Sequence, residues 1–91
     1  MNFEQIDNKI SNKGYRRKAG VRRLYNDDGT IEKVYDYEHR KRLDMFSVYV
    51  NDCGAVDCVE FTKVDFDRET RRFSQEVKNV EDFATLNKIL G

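Results

Sequence analysis

The chain has no proline or tryptophan, only one histidine and only two cysteines, and these scarcities argue against several classes of protein. A zinc site within one chain needs four ligands, so His39, Cys53 and Cys58 cannot complete one. No apolar run approaches the roughly 18 residues of a transmembrane helix, so we expect no membrane partner. The opening residues 1–5 lack a basic region followed by an apolar stretch. We therefore expect no signal peptide, a cytoplasmic location and reduced cysteines.

Motifs for phosphate binding and nucleophilic catalysis are also missing. The five glycines are dispersed at turn positions and form no phosphate loop, and no serine lies in a nucleophile elbow. His39 lies in the most basic stretch, where only Asp36 or Glu38 is near enough in sequence to orient it. We therefore expect no enzyme and no cofactor, and an enzyme centred on His39 is the weaker alternative.

Asp65, Asp67 and Glu69 alternate along the sequence, which hints at a cation site or a second catalytic candidate. A calcium loop also needs a glycine at its sharp turn and a glutamate at its twelfth position, and neither is present. Three arginines lie between residues 68 and 72, close to these carboxylates. We therefore expect an exposed hairpin held by ion pairs, and no metal.

Composition bounds the size of the core. Charged residues make up 37% of the chain and hydrophobic residues 38%, a balance that leans toward disorder. An aromatic share of 12% and regular apolar spacing indicate a folded chain instead. The length of 91 residues suits one small domain, residues 1–91, with a modest core.

A helix is predicted near each end of the chain. Phe3, Ile6 and Ile10 share one helical face, with Asn2 placed to cap the helix and Gly14 to end it, which predicts a helix over about residues 3–13. The apolar residues at helical spacing near the other end are Val80, Phe83, Leu86 and Leu90. They predict a second helix that is capped by Asn79.

Between the helices the apolar period changes to two, as in strands. Residues 21–25 and 31–37 flank a polar gap that contains an Asp-Gly step, which predicts a hairpin. Residues 39–42 are expected to form a charged connection to the next strand. Later strands are predicted over residues 46–50, from residue 59 onward, and over residues 73–77.

The fold follows from these elements and their short connections. Val64 and Phe66 have the opposite parity to Val59, so we expect a β-bulge near Thr62–Lys63 that returns them to the core. Short connections favour antiparallel pairing. The predicted fold is α+β, an antiparallel sheet of four to five strands with an N-terminal and a C-terminal helix packed on one face, in a two-layer sandwich.

A net charge of zero hides a split along the sequence. Residues 13–42 hold ten basic and five acidic residues, whereas residues 43–91 hold six basic and ten acidic ones. Such an arrangement steers charged partners without identifying them.

The basic part of the chain is the strongest positive signal for a binding function. Arginine binds phosphate through paired hydrogen bonds, and tyrosine stacks on exposed bases. We expect the arginines near the first helix to gather on one outward-facing patch. The predicted binding residues are Arg16, Arg17, Lys18, Arg22, Arg23, Tyr25, Tyr35, Tyr37, Arg40, Lys41 and Arg42.

A protein partner is the first interpretation of this surface, because tyrosine and arginine are enriched at protein–protein hot spots. The chain would then be a small non-enzymatic binding module that acts stoichiometrically. The alternative partner is RNA or single-stranded DNA, bound by the basic segments 13–25 and 39–42. A further interpretation assigns no partner, and the cations then pair with the acidic half of the chain or solubilise an edge strand.

Two resemblances accompany these patterns. The element order is similar to that of double-stranded RNA-binding domains, which run helix, three strands, helix. Those domains carry a lysine cluster at the start of the last helix, where this chain has Val80-Glu81-Asp82-Phe83, which would repel phosphate. In its size, charge-rich composition and opening residues 1–15, the chain also resembles small single-domain proteins encoded by bacteriophages, including inhibitors of host defence. That likeness implies a modulator or inhibitor of a host system.

Overall fold

Two helices and five strands make up the computed structural model, which describes residues 2–91. The elements are α1 (Phe3–Asn12), β1 (Tyr15–Tyr25), β2 (Ile31–His39), β3 (Met45–Val50), β4 (Val56–Asp67), β5 (Arg72–Asn79) and α2 (Phe83–Leu90). The strands form one antiparallel sheet in chain order, because every connection between them is a short turn. The predicted α+β fold is confirmed, with five strands in place of the three of a double-stranded RNA-binding domain. Neither helix within the described residues is long and apolar enough to cross a membrane.

The helix ends follow from side-chain caps. Asn2 accepts a hydrogen bond from the Gln5 amide at 2.9 Å, and α1 begins directly after it, as predicted. The predicted cap of the second helix is wrong, because Asn79 still belongs to β5 and α2 starts at Phe83. The Val80 amide donates to the Val59 carbonyl at 2.8 Å, so sheet pairing holds the chain past Asn79. Asp82 is the cap, and it accepts from the Thr85 amide at 2.7 Å.

Both helices pack on one face of the sheet, which we call the helix face. Its buried layer is formed by Ile6 and Ile10 of α1 and Leu86 of α2, packed on alternate residues of the central strands. The central row of that layer is Tyr37, Phe46 and Phe61, which are neighbours on β2, β3 and β4. We call the other side the open face. It is marked by a second row of neighbours, namely Arg22, Val34, Tyr49 and Cys58.

Tyr37 ties α1 to the sheet. Its side chain is fully buried, and its hydroxyl donates to Asp7 Oδ1 at 2.7 Å. Burial, together with the hydrogen bond to the Asp7 carboxylate, raises the pKa of Tyr37 well above its ordinary value. The phenol therefore stays protonated and remains a hydrogen-bond donor.

The predicted bulge near Thr62–Lys63 is wrong. The pairing of β4 with β5 runs without interruption from Glu60 opposite Asn79 to Asp67 opposite Arg72. Unbroken alternation leaves Val64 and Phe66 on the open face. The register shifts lie elsewhere, in β1 between Arg17 and Val21 and in the β3–β4 pair beside Tyr49 and Val50.

The last hairpin extends beyond its neighbour. The pairing of β3 with β4 ends where Met45 lies opposite Thr62, but β4 continues to Asp67. Residues 63–67 therefore pair only with residues 72–76, and we call this two-stranded part of the sheet the ribbon. Two-stranded ribbons are marginal in water without packing on at least one side.

Tyr37→Phe tests the link between α1 and the sheet. A buried hydrogen bond to a charged acceptor contributes about 2 kcal/mol, so the variant should lose about that much free energy of unfolding. Asp7→Asn keeps an acceptor oxygen for the Tyr37 hydroxyl, so it should lose less free energy of unfolding than Tyr37→Phe. Urea unfolding of the three proteins measures the difference, and a Tyr37→Phe variant as stable as the wild type would contradict the assignment.

Candidate functional site

The predicted binding residues do not form one patch. Strand alternation sends Arg16, Lys18 and Arg22 to the open face and Arg17 and Arg23 to the helix face. The residues at the β2–β3 turn are Arg40, Lys41 and Arg42. The expectation of a single outward-facing arginine patch is therefore wrong, because neighbouring residues of a strand point in opposite directions.

Two of the three cations on the open face, Lys18 and Arg22, already have partners within the chain. Arg22 makes two hydrogen bonds to Asp36, at 2.7 Å and 2.9 Å, and Ser47 Oγ donates to Asp36 Oδ1 at 2.7 Å. Lys18 lies 3.9 Å from Glu38. This group joins β1, β2 and β3 by side chains in addition to their backbone ladder. The interpretation that some cations pair within the chain therefore holds for Lys18 and Arg22.

The carboxylate of Asp36 is nearly buried, yet it stays ionised. Burial alone raises the pKa of Asp36, but the hydrogen bonds from Arg22 and Ser47 outweigh it. The pKa therefore lies below its ordinary value of 3.8. The hydrogen-bond partners of Asp36 lie on the two neighbouring strands, Arg22 on β1 and Ser47 on β3, so this carboxylate serves to join the strands.

Tyr37 is not available to a partner, which corrects one predicted binding residue. Its place on the helix face puts it under α1, where it is fully buried. Tyr35 lies on the same face but is only half-buried, with its ring 4.6 Å from that of Phe3. The Arg17 guanidinium lies over both rings, 5.9 Å from Phe3 and 5.4 Å from Tyr35. Stacking on two aromatic faces fixes this cation beside α1.

A groove on the helix face brings together three predicted residues, Arg23, Tyr25 and Tyr35. It has a volume of about 440 Å³ and lies at the end of the first hairpin. Its floor and walls also include Ile31, Lys33, Val50, Asn51, Asp52 and Gly54. Tyr25 is 74% exposed at its rim, so the groove has aromatic and apolar surface beside two cations. We call it the hairpin groove.

Two like charges face each other in the hairpin groove. Arg23 and Lys33 are directly opposite on β1 and β2, and no carboxylate in residues 2–91 lies within ion-pair distance of either. Opposed like charges on a strand pair destabilise it. An anion between them would relieve this repulsion, so the groove is suited to a negatively charged ligand.

Lys33 is a residue of the hairpin groove that is absent from the predicted binding residues. Its signal was present, because Lys33 has the same parity as Tyr35 and the Asp-Gly hairpin places it near Arg23. It was overlooked because it lies outside the dense basic segments. The two cations that meet in the hairpin groove, Arg23 and Lys33, are therefore ten positions apart in sequence.

The basic β2–β3 turn belongs to a different part of the surface. It lies at the opposite end of the nine-residue strand β2 from the hairpin groove, roughly 25 Å away at about 3.3 Å per residue. Arg40, Lys41 and Arg42 therefore cannot share a small ligand with Arg23 and Lys33.

His39 is held by backbone groups. Its Nδ1 accepts a hydrogen bond from the Lys41 amide at 3.0 Å, so the neutral ring carries its hydrogen on Nε2, which donates to the Lys13 carbonyl at 3.2 Å. Gly14 lies directly beneath, where an added Cβ would come within 2.9 Å of Nε2. His39 thus locks the end of α1 to the β2–β3 turn, and both ring nitrogens are occupied.

The carboxylates on the last hairpin support the turn. Asp67 Oδ1 accepts from the amides of Glu69 and Thr70, at 2.9 Å and 3.4 Å. Residues 2–91 contain no cluster of three or more His, Cys, Asp or Glu side chains placed to hold a metal ion. The expectation that ion pairs hold this hairpin is wrong: Asp67 lies opposite Arg72, but no ion pair forms between the carboxylates of residues 65–69 and the arginines of residues 68–72.

Cys53 and Cys58 are free thiols, exposed and half-buried respectively. Burial, and then the nearby carboxylates of Glu60, Glu32 and Asp57, raise the pKa of Cys58. A raised pKa leaves little thiolate at neutral pH, so Cys58 is a weak nucleophile.

Neither the family models, nor the curated proteins, nor the solved structures with which the chain was compared gave a significant match. The case for a function therefore rests on the geometry of the chain itself.

Lys33→Glu tests the repulsion in the hairpin groove. The variant sets a carboxylate opposite Arg23, so the free energy of unfolding should rise by about 0.5 kcal/mol at low salt, and less at high salt. Lys33→Gln removes the repulsion without adding attraction, so its free energy of unfolding should lie between those of the wild type and Lys33→Glu. Urea unfolding at two salt concentrations makes the measurement. A destabilised Lys33→Glu variant would show that the two cations do not repel each other.

Asp36→Asn tests the open-face network through its pH dependence. Because the folded pKa of Asp36 lies below the ordinary value of 3.8, its charge contributes fully to stability above that value, and this contribution is lost as the pH falls from there through the lower folded pKa. The variant should lose about 1–3 kcal/mol at neutral pH, and the gap to the wild type should narrow below about pH 4. Urea unfolding over a pH series shows this, and a gap independent of pH would contradict it.

Proposed function

We propose that this protein is a small non-enzymatic binding module that engages an acidic protein partner stoichiometrically through the hairpin groove. One observation carries the proposal: Arg23 and Lys33 lie directly opposite each other with no ion-pair partner in residues 2–91, beside exposed Tyr25 and half-buried Tyr35. Arginine and tyrosine are the residue types that most often dominate protein interfaces. Two cations held together by the sheet are prepared for an anionic group before the partner arrives.

The lining of the groove supports a partner of a particular chemistry. Its two cations call for one or two carboxylates, and its apolar surface, which includes Ile31 and Val50, calls for an adjoining apolar or aromatic side chain. An acidic protein surface with a protruding apolar residue provides both. Tyr25 and Tyr35 can pack on that residue while the carboxylate lies between Arg23 and Lys33.

RNA or single-stranded DNA is the alternative partner, and the distribution of charge favours it less. Binding of single strands needs a positive groove that follows the backbone over several nucleotides. Here the basic run divides between two faces, Arg22 is neutralised by Asp36, and the turn at Arg40 lies at the other end of β2. With a net charge of zero, the affinity for phosphate backbones at physiological salt should be low.

The non-enzymatic character of the module is part of the same proposal. It is supported by the position of His39, whose ring nitrogens are both engaged by backbone groups, and by the raised pKa of Cys58. A module of this kind modulates or inhibits its partner by covering a surface, which is the mode implied by the resemblance to phage proteins. The cytoplasmic location stays a prediction from the sequence.

Affinity capture with matched variants tests the proposal. Wild-type protein, Arg23→Ala/Lys33→Ala and Arg16→Ala/Lys18→Ala are immobilised and exposed to nuclease-treated lysate of the native host. The two double variants remove equal charge from opposite faces, so net charge cannot explain a difference between them. We expect one protein to be retained in equimolar amount by the wild type and the open-face variant, and lost by the groove variant.

Two outcomes would contradict the proposal. Loss of the partner from the open-face variant alone would place the interface on the other side of the sheet. Recovery of nucleic acid in place of protein when nuclease is omitted, with binding to a labelled single-stranded oligonucleotide that weakens steeply with salt, would favour the alternative.

A further inference from the structure

The two edges of the sheet differ in their protection against pairing with another strand. β1 carries a register shift between Arg17 and Val21 and a dense set of basic residues, both of which discourage edge pairing. β5, the other edge, is regular over all eight residues, and all eight are exposed. It contains no proline and no bulge, so its outward backbone groups are ready to pair.

An apolar stripe runs along β5 on the open face. Phe73 is 65% exposed and Val77 is 56% exposed, and both have the parity of the open face. Phe66 of β4 lies opposite Phe73, with ring centroids 4.8 Å apart. The stripe therefore continues onto the ribbon, the part of the sheet that pairs with no third strand in the described chain. Both features, the free edge and the apolar stripe, lie on the same strand.

The sequence of β5 is complementary to itself in one antiparallel register. When a two-fold axis perpendicular to the sheet passes through Gln75, Phe73 lies opposite Val77 of the second copy, and the open faces of the two copies coincide. On the other face Ser74 lies opposite Glu76, whose carboxylate is then diagonal to Arg72. Arg72 opposite Lys78 is unfavourable and occurs twice, and the two Glu76 carboxylates lie diagonal to each other, but all of these side chains are exposed to solvent.

The neighbouring registers are worse. An axis through Glu76 sets that carboxylate against its own copy, and like charges that face each other destabilise a strand pair. An axis through Ser74 sets Phe73 against Gln75 and leaves the apolar stripe unmatched. Self-pairing about Gln75 is therefore selected by apolar contact, because only this register sets Phe73 against Val77.

We propose that two copies of this chain associate through their β5 edges, in antiparallel register about Gln75, to form a continuous ten-stranded sheet. The pairing turns each two-stranded ribbon into part of a four-stranded segment, and it joins the two apolar stripes on the open face. The interface leaves both hairpin grooves free, since each groove lies at β1 and β2, across the sheet from β5. The dimer would therefore present two binding sites to the partner.

The oligomeric state tests this proposal with a matched pair of variants. Light scattering over a concentration series should give the wild type a mass approaching twice its 10.8 kDa at high concentration and a decrease on dilution, because one strand edge is a small interface. Val77→Lys should stay monomeric. Leu43→Lys introduces the same charge at an equally exposed position, 55% against 56%, and should dimerise like the wild type.

Cross-linking tests the register independently of any effect of Val77→Lys on folding. In a Cys53→Ser/Cys58→Ser background, Gln75→Cys places two thiols on the two-fold axis, where opposed Cα atoms lie about 4.5–5.5 Å apart and suit a disulfide. Ser74→Cys, one residue away, should not cross-link. A monomeric wild type at the highest soluble concentration, a dimeric Val77→Lys, or cross-linking through Ser74→Cys and not Gln75→Cys would each overturn the proposal.

Discussion

Side chains of a strand alternate between the two faces of a sheet, and in this protein both helices cover the same face. That constraint decides the role of almost every residue between Tyr15 and Asn79. Residues of one parity pack under α1 and α2, as Tyr37 and Phe46 do. Among residues of the other parity, Arg22 and Asp36 hydrogen-bond to each other, Val34 is buried, and Phe73 and Val77 stay in contact with solvent.

The same alternation of side chains distributes the charges of the strands between the two faces of the sheet. A basic run that is continuous in sequence becomes two groups in space, and the group on the open face is partly neutralised by carboxylates of β2. On the helix face Arg23 and Lys33 oppose each other beyond the cover of the helices, and neither forms an ion pair within residues 2–91. A net charge of zero is therefore compatible with a small groove that holds two opposed cations, because most charges of the chain lie elsewhere.

Local patterns predicted the fold well where one signal was strong. The cap at Asn2, the hairpin at the Asp-Gly step and the antiparallel sheet with two helices on one face were all confirmed. The bulge expected near Thr62 was wrong, because it assumed that every apolar residue seeks the core, whereas Phe66 lies exposed on the ribbon. The cap expected at Asn79 was wrong because the pairing of β5 and the Val80–Val59 hydrogen bond extend the sheet beyond it.

The site was harder to predict than the fold. Tyrosines in similar sequence contexts differ in exposure: Tyr37 is buried under α1, whereas Tyr25 lies exposed past the end of the sheet core. Only the register of β1 against β2 shows that Arg23 meets Lys33, and the shift between Arg17 and Val21 prevents that register from being extended along the whole strand by counting residues. Pairing across strands is information that composition and charge runs do not carry.

We propose that the opposed cations of the hairpin groove recognise an acidic partner. An NMR titration of isotope-labelled protein with a glutamate-rich peptide that contains tyrosine tests this recognition. Saturable chemical-shift changes are expected, confined to residues 23–25 and 31–35 and their neighbours at the turn after β3. Shifts centred on Arg16 and Lys18 of the open face, or weak shifts spread over every basic residue, would contradict it.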